Sequence, residues 1–124
     1  MVSMLFDAAQ EGVQAMTATD GHYLGAAQPL PVPRGTVSGR AHAINNLGEI
    51  VGWLDIVPKN YAGFYPYAYL WKDGAMVNLE KQIDDDSGWD RLWYAYVIND
   101  GGVIAGVGRC DVDSRGFLLI PNSP

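Results

Sequence analysis

An acidic loop is the first segment whose residue types could do chemistry: residues 84–90 have the sequence DDDSGWD. Hard cations such as Ca²⁺ take several oxygen ligands from a flexible loop. Asp84 and Asp86 have part of the spacing of a calcium loop, but no glutamate follows them to serve as a bidentate ligand. We therefore expect a solvated acidic loop without a metal or cofactor, and keep calcium binding by Asp84 and Asp86 as the alternative.

Aromatic residues are the second group of candidates. One group comprises Trp89, Trp93, Tyr94 and Tyr96, and another comprises Tyr61, Phe64, Tyr65, Tyr67 and Tyr69. Aromatic rings beside carboxylates can bind sugars or cations. Most of these rings are expected to pack in a core or an oligomer contact. Trp89, Asp90 and Trp93 are the candidate ligand-binding residues.

Strand geometry gives a first placement of these candidates. Alternation along a strand would put Trp93 and Ala95 on one face and Tyr94 and Tyr96 on the other, so that one face is core. Trp89 follows Ser-Gly, which predicts a loop and an exposed ring.

Residues typical of nucleophilic catalysis are few. His22 and His42 are the two histidines, and neither has a serine or cysteine nucleophile signature around it. Cys110 is a single cysteine beside Asp111, which predicts an inert thiol rather than a reactive one. No glycine-rich loop follows a strand and opens a helix, so no phosphate cradle is expected. No catalytic residues are therefore assigned.

The charge of the chain limits its partners. Its 124 residues carry eight Lys or Arg against fourteen Asp or Glu, a net charge of −6. A protein without a basic stripe lacks the means to neutralise phosphates, so we expect neither nucleic acid nor an anionic membrane surface as a partner. The sequence MVSMLFDAAQEG at the start has no basic segment and no apolar run of signal-peptide length.

An internal repeat must position these residues. The segment AINNLGEIVG at 43–52 returns as VINDGGVIAG at 97–106, identical at five of ten positions. Each copy reads as a β-hairpin, because Asn and Gly tolerate the positive φ of tight turns. Asn45 and Asn99 are therefore interpreted as turn residues. Gly52 and Gly106, inside the return strands, predict a bulge or a close backbone approach.

The repeat predicts an all-β domain. Strands are expected at 40–45, 50–55, 67–71 and 76–79 in one repeat (40–80), and at 93–98, 103–108 and 116–120 in a second (92–121). A degenerate hairpin at 13–26, a strand at 2–6 and a helical turn within 7–15 would complete residues 1–124 as a single domain of two to two and a half repeats. The second repeat lacks one strand.

Residues 36–124 resemble the HAF-repeat family of predicted extracellular bacterial proteins. The likeness rests on AINNLGEIVG followed by YAYLW and a Gly turn, and then on Asn78-Leu79, an acidic loop, Ser87-Gly88-Trp89, VINDGGVIAG and FLLIP. The resemblance implies a repeat-built β fold and an extracellular location. It implies no catalytic residues, and its Ser-Gly-Trp motif suggests, as the alternative to an exposed ring, that Trp89 is a structural anchor.

The expected architecture is therefore antiparallel and four-stranded, like propeller blades, with a β-sandwich or small barrel as the alternative. About ten strands are too few for one chain to close a ring, and exposed edges invite pairing. We expect a homo-oligomer, with a dimer as the favoured state.

Two functions remain open at this point. The first is a non-catalytic binding or protein-interaction module whose ligand is unknown, with carbohydrate as one possibility. The second is a small enzyme with an active site at an oligomer interface, using Asp86 or His42.

Overall fold

The computed structural model describes residues 27–122, and all but one of its elements are strands. They are β1 (Thr36–Ile44), β2 (Ile50–Ile56), β3 (Tyr65–Lys72), β4 (Ala75–Asn78), a short 3-10 helix (Leu79–Gln82), β5 (Trp89–Ile98), β6 (Ile104–Cys110) and β7 (Asp113–Leu119). The all-β prediction is confirmed. The segments predicted at 2–6, 7–15 and 13–26, and His22, lie outside the described residues.

The strands form two antiparallel sheets. The first sheet has the order β1-β2-β3-β4 and the second has the order β5-β6-β7. Neither sheet closes on itself. The predicted four-stranded unit is thus present in the first sheet, and the second has three strands within residues 27–122. Most of the strands are longer than predicted, since β1 begins at Thr36 and β5 already begins at Trp89.

The repeated hairpin turns are built by their asparagines, as predicted. The Oδ1 atom of Asn45 accepts hydrogen bonds from the backbone nitrogens of Leu47 (3.0 Å) and Glu49 (2.9 Å). The Oδ1 atom of Asn99 likewise accepts from the backbone nitrogen of Val103 at 3.0 Å. A side chain that replaces backbone partners in this way stabilises a turn locally.

Both hairpins also contain the same β-bulge. His42 is an extra residue between Ala41 and Ala43 in the pairing with β2, and Tyr96 is the extra residue at the equivalent place in β5. A Cβ atom on Gly52 would overlap the carbonyl oxygen of Arg40, and one on Gly106 would overlap that of Tyr94. The close approach predicted at Gly52 and Gly106 is therefore confirmed.

The main core lies between the two sheets. Its buried members are Val51, Ala68 and Leu79 from the first half and Leu92, Ala95, Ile98, Ile104 and Phe117 from the second. We call the side of the first sheet that carries Val51 its front face. The opposite side, its rear face, carries a second buried cluster of Ile50, Leu54, Tyr69 and Trp71, against which Leu30 packs.

Candidate ligand-binding cleft

Strand β5 is irregular, and its bulges determine which way the candidate residues Trp89, Asp90 and Trp93 face. Its ten residues pair with the seven of β6, with register shifts at Asp90, Trp93 and Tyr96. The residues that pack into the core therefore recur every third position, at Trp89, Leu92, Ala95 and Ile98. Bulges bend a strand and redirect its side chains.

The predicted alternation along β5 is consequently wrong. Ala95 is fully buried in the core, whereas Trp93 is partly buried and lies with Tyr94 in a surface cleft. An extra residue in a strand breaks the two-residue period, so Trp93 and Ala95 do not share an environment.

The cleft has a volume of about 370 Å³ and is formed by three strands. Its walls are aromatic and cationic, and they consist of Tyr65 and Pro66 from β3, Arg91, Trp93 and Tyr94 from β5, and Arg109 from β6. The cleft thus lies where β3 of the first sheet meets β5 of the second.

Arg91 lies in the wall of the cleft against two tyrosine rings and a glutamate. Its guanidinium carbon lies 4.6 Å from the ring centroid of Tyr65 and 5.0 Å from that of Tyr67. Its Nε lies 3.4 Å from a carboxylate oxygen of Glu80. Nε and Nη2 are buried and make no geometrically acceptable hydrogen bond within residues 27–122. These two nitrogens are therefore shielded from solvent between the tyrosine rings and Glu80, while the side chain as a whole stays partly exposed.

Glu80, in the short 3-10 helix, forms an ion pair with Arg91. It accepts a hydrogen bond of 2.9 Å from the backbone nitrogen of Leu92. Burial raises the pKa of the Glu80 carboxyl above its usual value, while the bond from Leu92 and the charge of Arg91 oppose that rise. Glu80 thus links the short 3-10 helix to the cleft strand β5.

Arg109 forms the more open wall. Its Nε lies 3.3 Å from Oδ2 of Asp90, and both side chains are nearly half exposed. Since this ion pair uses Nε, the terminal nitrogens of Arg109 are available to a ligand. Exposed pairs of this kind contribute little to stability.

An aromatic strip continues from the cleft along β5, β2 and β1. Trp53 contacts Tyr94 edge-to-face at a centroid distance of 4.9 Å and Tyr96 at 5.6 Å. The ring of His42 lies 5.2 Å from that of Tyr96, and Arg40 stacks over Trp53 at 5.6 Å. We call Arg40, His42, Trp53, Tyr94 and Tyr96 the inner strip.

The three predicted ligand-binding residues have different surroundings. Trp93 lines the cleft. Asp90 is not part of the lining, but it accepts a hydrogen bond from Arg109, which is. Trp89 is not in a loop, because it opens β5, and its ring packs edge-on against buried Phe117 at 6.1 Å. The prediction of an exposed Trp89 is therefore wrong: the strand begins earlier than the Ser-Gly pair suggested.

Asp84 and Asp86 of the acidic loop do not line the cleft. Asp84 and Asp86 are exposed, and the carbonyl oxygen of Asp84 accepts a bond from the backbone nitrogen of Ser87 at 3.0 Å. In residues 27–122, no group of three His, Cys, Asp or Glu side chains is arranged to hold a metal ion. Cys110 is partly buried and free.

Sequence reasoning missed Arg91 and Arg109 as site residues and took Tyr65 and Tyr94 for packing residues. Tyr65 and Arg91 are far apart in sequence and meet only through sheet packing. The repeat offset carried a usable signal for the inner strip, because His42 and Tyr96 are separated by the same 54 residues as the two hairpins and lie in contact.

Other clefts are lined by described residues as well. One, of about 320 Å³, lies at the turn ends of the sheets beside Lys72, Gln82 and Pro121. Another, of about 470 Å³, is an apolar groove on the rear face of the first sheet, beside Leu54 and Trp71. Neither combines several aromatic rings with two arginines, as the cleft around Trp93 does.

Comparison with known proteins gives no relative: no family model, curated protein or solved structure matches this chain. Among residues 27–122, no helix has the length and apolar character needed to span a membrane.

Proposed function

We propose that the protein is a non-catalytic binding module and that the cleft around Trp93 binds a carbohydrate with a carboxylate or sulfate group. The observation that carries this proposal is the joint presence of Trp93, Tyr94 and Tyr65 with Arg91 and Arg109 around one cleft. Aromatic faces pack against the apolar faces of sugar rings, and arginines recognise oxyanions.

The arginines favour an anionic ligand over a neutral one. The guanidinium fork matches the geometry of a carboxylate or sulfate and stays charged at all relevant pH values. Arg91 contributes its positive charge to the wall of the cleft, and Arg109 contributes its terminal nitrogens as donors. A chain with a net charge of −6 would repel anions at long range, so this recognition is short-range and geometric.

The lining of the cleft supports binding rather than catalysis. It contains no carboxylate, histidine, serine or cysteine that could act as a nucleophile or general base. The alternative enzyme, with Asp86 or His42 at an oligomer interface, stays a prediction. The Nδ1 atom of His42 is engaged with the backbone oxygen of Tyr96 at 3.0 Å.

Membership of the HAF-repeat family is also part of this proposal, as are the extracellular location that it implies and a blade-like relation between the sheets. The repeated Ile-Asn-x-x-Gly segments form equivalent hairpins with equivalent bulges. That agreement supports a duplicated unit.

A glycan array that includes uronic-acid and sulfated sugars tests the proposed ligand class. Arrays run with Ca²⁺ and with EDTA separate arginine-based binding, which is insensitive to EDTA, from binding by the Asp84–Asp86 loop. A hit is then titrated by isothermal calorimetry.

Matched variants locate the site. Trp93→Ala and Arg109→Gln should each weaken binding at least about tenfold, equivalent to about 1.4 kcal/mol. Arg115→Gln is the control, because Arg115 pairs with Asp113 at 3.4 Å in a similar exposed ion pair outside the cleft. Binding that Trp93→Ala leaves unchanged, or the absence of any acidic glycan among the hits, contradicts the proposal.

A further inference from the structure

The two sheets are stacked head to tail. Val51 and Ala105 occupy equivalent places in the two hairpins, as do Ile50 and Ile104. In the first sheet Val51 points into the shared core and Ile50 lies on the rear face. In the second sheet Ile104 points into the shared core, so Ala105 lies on the side directed away from it. The front face of one sheet thus packs on the rear face of the next.

The hydrogen bonds between the hairpins have the same direction. The side-chain amide of Asn45 donates to the carbonyl oxygen of Asn99 at 2.9 Å. The backbone and side-chain nitrogens of Asn46 both donate to the carboxylate of Asp100 at 2.8 Å. Each bond joins a residue to its own equivalent, 54 positions later. An interface of this heterologous kind can be repeated by a further unit.

Among residues 27–122, no element covers the front face of the second sheet. Val97, Ala105 and Leu118 are direct neighbours across its three strands, and we call them the front row. Val97 is 54% exposed and Leu118 is 61% exposed. The amide nitrogen of Asn99, equivalent to the donor on Asn45, has no hydrogen-bond partner among residues 27–122. These three adjoining side chains form an apolar surface that suits a packing contact.

Residues 28–32 already cover part of the rear face of the first sheet, since Leu30 packs on it and Nε1 of Trp71 donates to the carbonyl oxygen of Pro31 at 2.8 Å. A groove stays open between this segment and β1. The apolar groove of about 470 Å³ there is lined by β1 and by residues 28–32, with Leu54 and Trp71 at its base. Val32 and Val37 on its walls are 45% and 56% exposed. Within the chain, the rear face of the second sheet covers the front face of the first sheet.

We propose that the front row of one chain docks on the rear groove of a second copy. The occupant is a second copy because the chain already shows a front face covered by the rear face of its own neighbouring sheet. In the described part of each copy the front row and the rear groove are both open, so two copies related by a two-fold axis fill both pairs. Such a dimer is a closed ring of stacked sheets, which a heterologous interface requires if it is not to form fibres.

The oligomeric state tests this proposal directly. Light scattering after size-exclusion chromatography, from low to high micromolar concentration, should give twice the chain mass of 13.5 kDa. A monomer throughout, as expected if another part of the same chain covers the front row, overturns the proposal.

Two variants break the two halves of the interface. Leu118→Asp on the front row and Val37→Asp in the rear groove should each give monomers with wild-type circular dichroism. Val97→Asp is a second front-row variant if Leu118→Asp does not fold. Val112→Asp is the control, because Val112 is 84% exposed in the β6–β7 turn, and it should remain a dimer. A dimer of unchanged affinity for Leu118→Asp overturns the proposal.

Mixing the two variants tests the head-to-tail direction. Leu118→Asp retains an intact rear groove and Val37→Asp retains an intact front row, so the mixture forms one good interface. The mixture should form a heterodimer at least about tenfold weaker than the wild-type dimer but stronger than either variant alone. Failure of the mixture to associate points to an isologous interface and overturns the proposal.

Discussion

Asn45 donates its side-chain amide to the backbone carbonyl of Asn99, the residue at the equivalent position of the second hairpin. The same side chain accepts from the backbone nitrogens of its own turn. One repeated residue type therefore both shapes each turn and, in the first copy, connects the two sheets. This dual role explains why the Ile-Asn-x-x-Gly pattern is the clearest repeat in the chain.

Asn45→Asp should cost about 1 kcal/mol more stability than Asn99→Asp. Both variants keep the oxygen that accepts the turn bonds. Only the change at Asn45 removes a donor with observed partners, the carbonyl of Asn99 and the carboxylate of Glu49. Urea unfolding at a concentration where the chain is monomeric measures the difference. Equal losses would assign both asparagines to their own turns alone.

Gly106→Ala should destabilise the fold by about 1–3 kcal/mol, as overpacking does. The added Cβ would meet the carbonyl oxygen of Tyr94 and the ring of Phe117. Gly101→Ala is the matched control, because its nearest contact is Asn99 Oδ1 at 3.4 Å and its φ is not positive. Thermal unfolding compares the two. A similar melting temperature for both variants would show that the bulge can relax.

The hairpins were predictable because their signals are local. Asn45, Gly52 and their equivalents act on backbone atoms within or beside their own strands. The shared core was predictable only in outline. Three bulges in β5 change the spacing of its buried residues from every second to every third position. No residue type in WDRLWYAYVI indicates where these bulges lie.

The cleft was less predictable than the fold. Trp93 was identified by its residue type, but Arg91 gains its role from Tyr65, Tyr67 and Glu80, which belong to other elements. Contacts of this kind depend on how two sheets stack. In a single sequence, the one indication of that stacking is the 54-residue offset between equivalent positions of the two hairpins.

Glu80 makes stability depend on pH in a defined direction. Its folded pKa is raised above the ordinary value of 4.5, so the stability it contributes is fully present below that value and is lost as pH rises through the folded pKa. Glu80→Gln does not titrate and keeps an oxygen for the Leu92 nitrogen. The advantage of wild type over Glu80→Gln should therefore shrink between pH 4 and pH 7.

Urea unfolding across that pH range measures this change. Glu80→Ala is the companion variant, since it leaves the Leu92 nitrogen without its acceptor and should cost about 1–3 kcal/mol at every pH. A wild-type advantage over Glu80→Gln that instead grows with pH would mean that attraction to Arg91 outweighs the burial of the carboxylate.

The two tryptophans of β5 should separate stability from binding. Trp89 packs edge-on against Phe117 beside the main core, so Trp89→Ala should cost about 2–3 kcal/mol. Trp93 is an extra residue at a bulge with its ring in the cleft, so Trp93→Ala should cost less than about 1 kcal/mol and should abolish tight glycan binding. Chemical unfolding followed by far-UV circular dichroism, alongside calorimetry with the array hit, measures both quantities. If Trp93→Ala unfolds the chain as severely as Trp89→Ala, the ring is a structural anchor and the cleft is not a preformed ligand site.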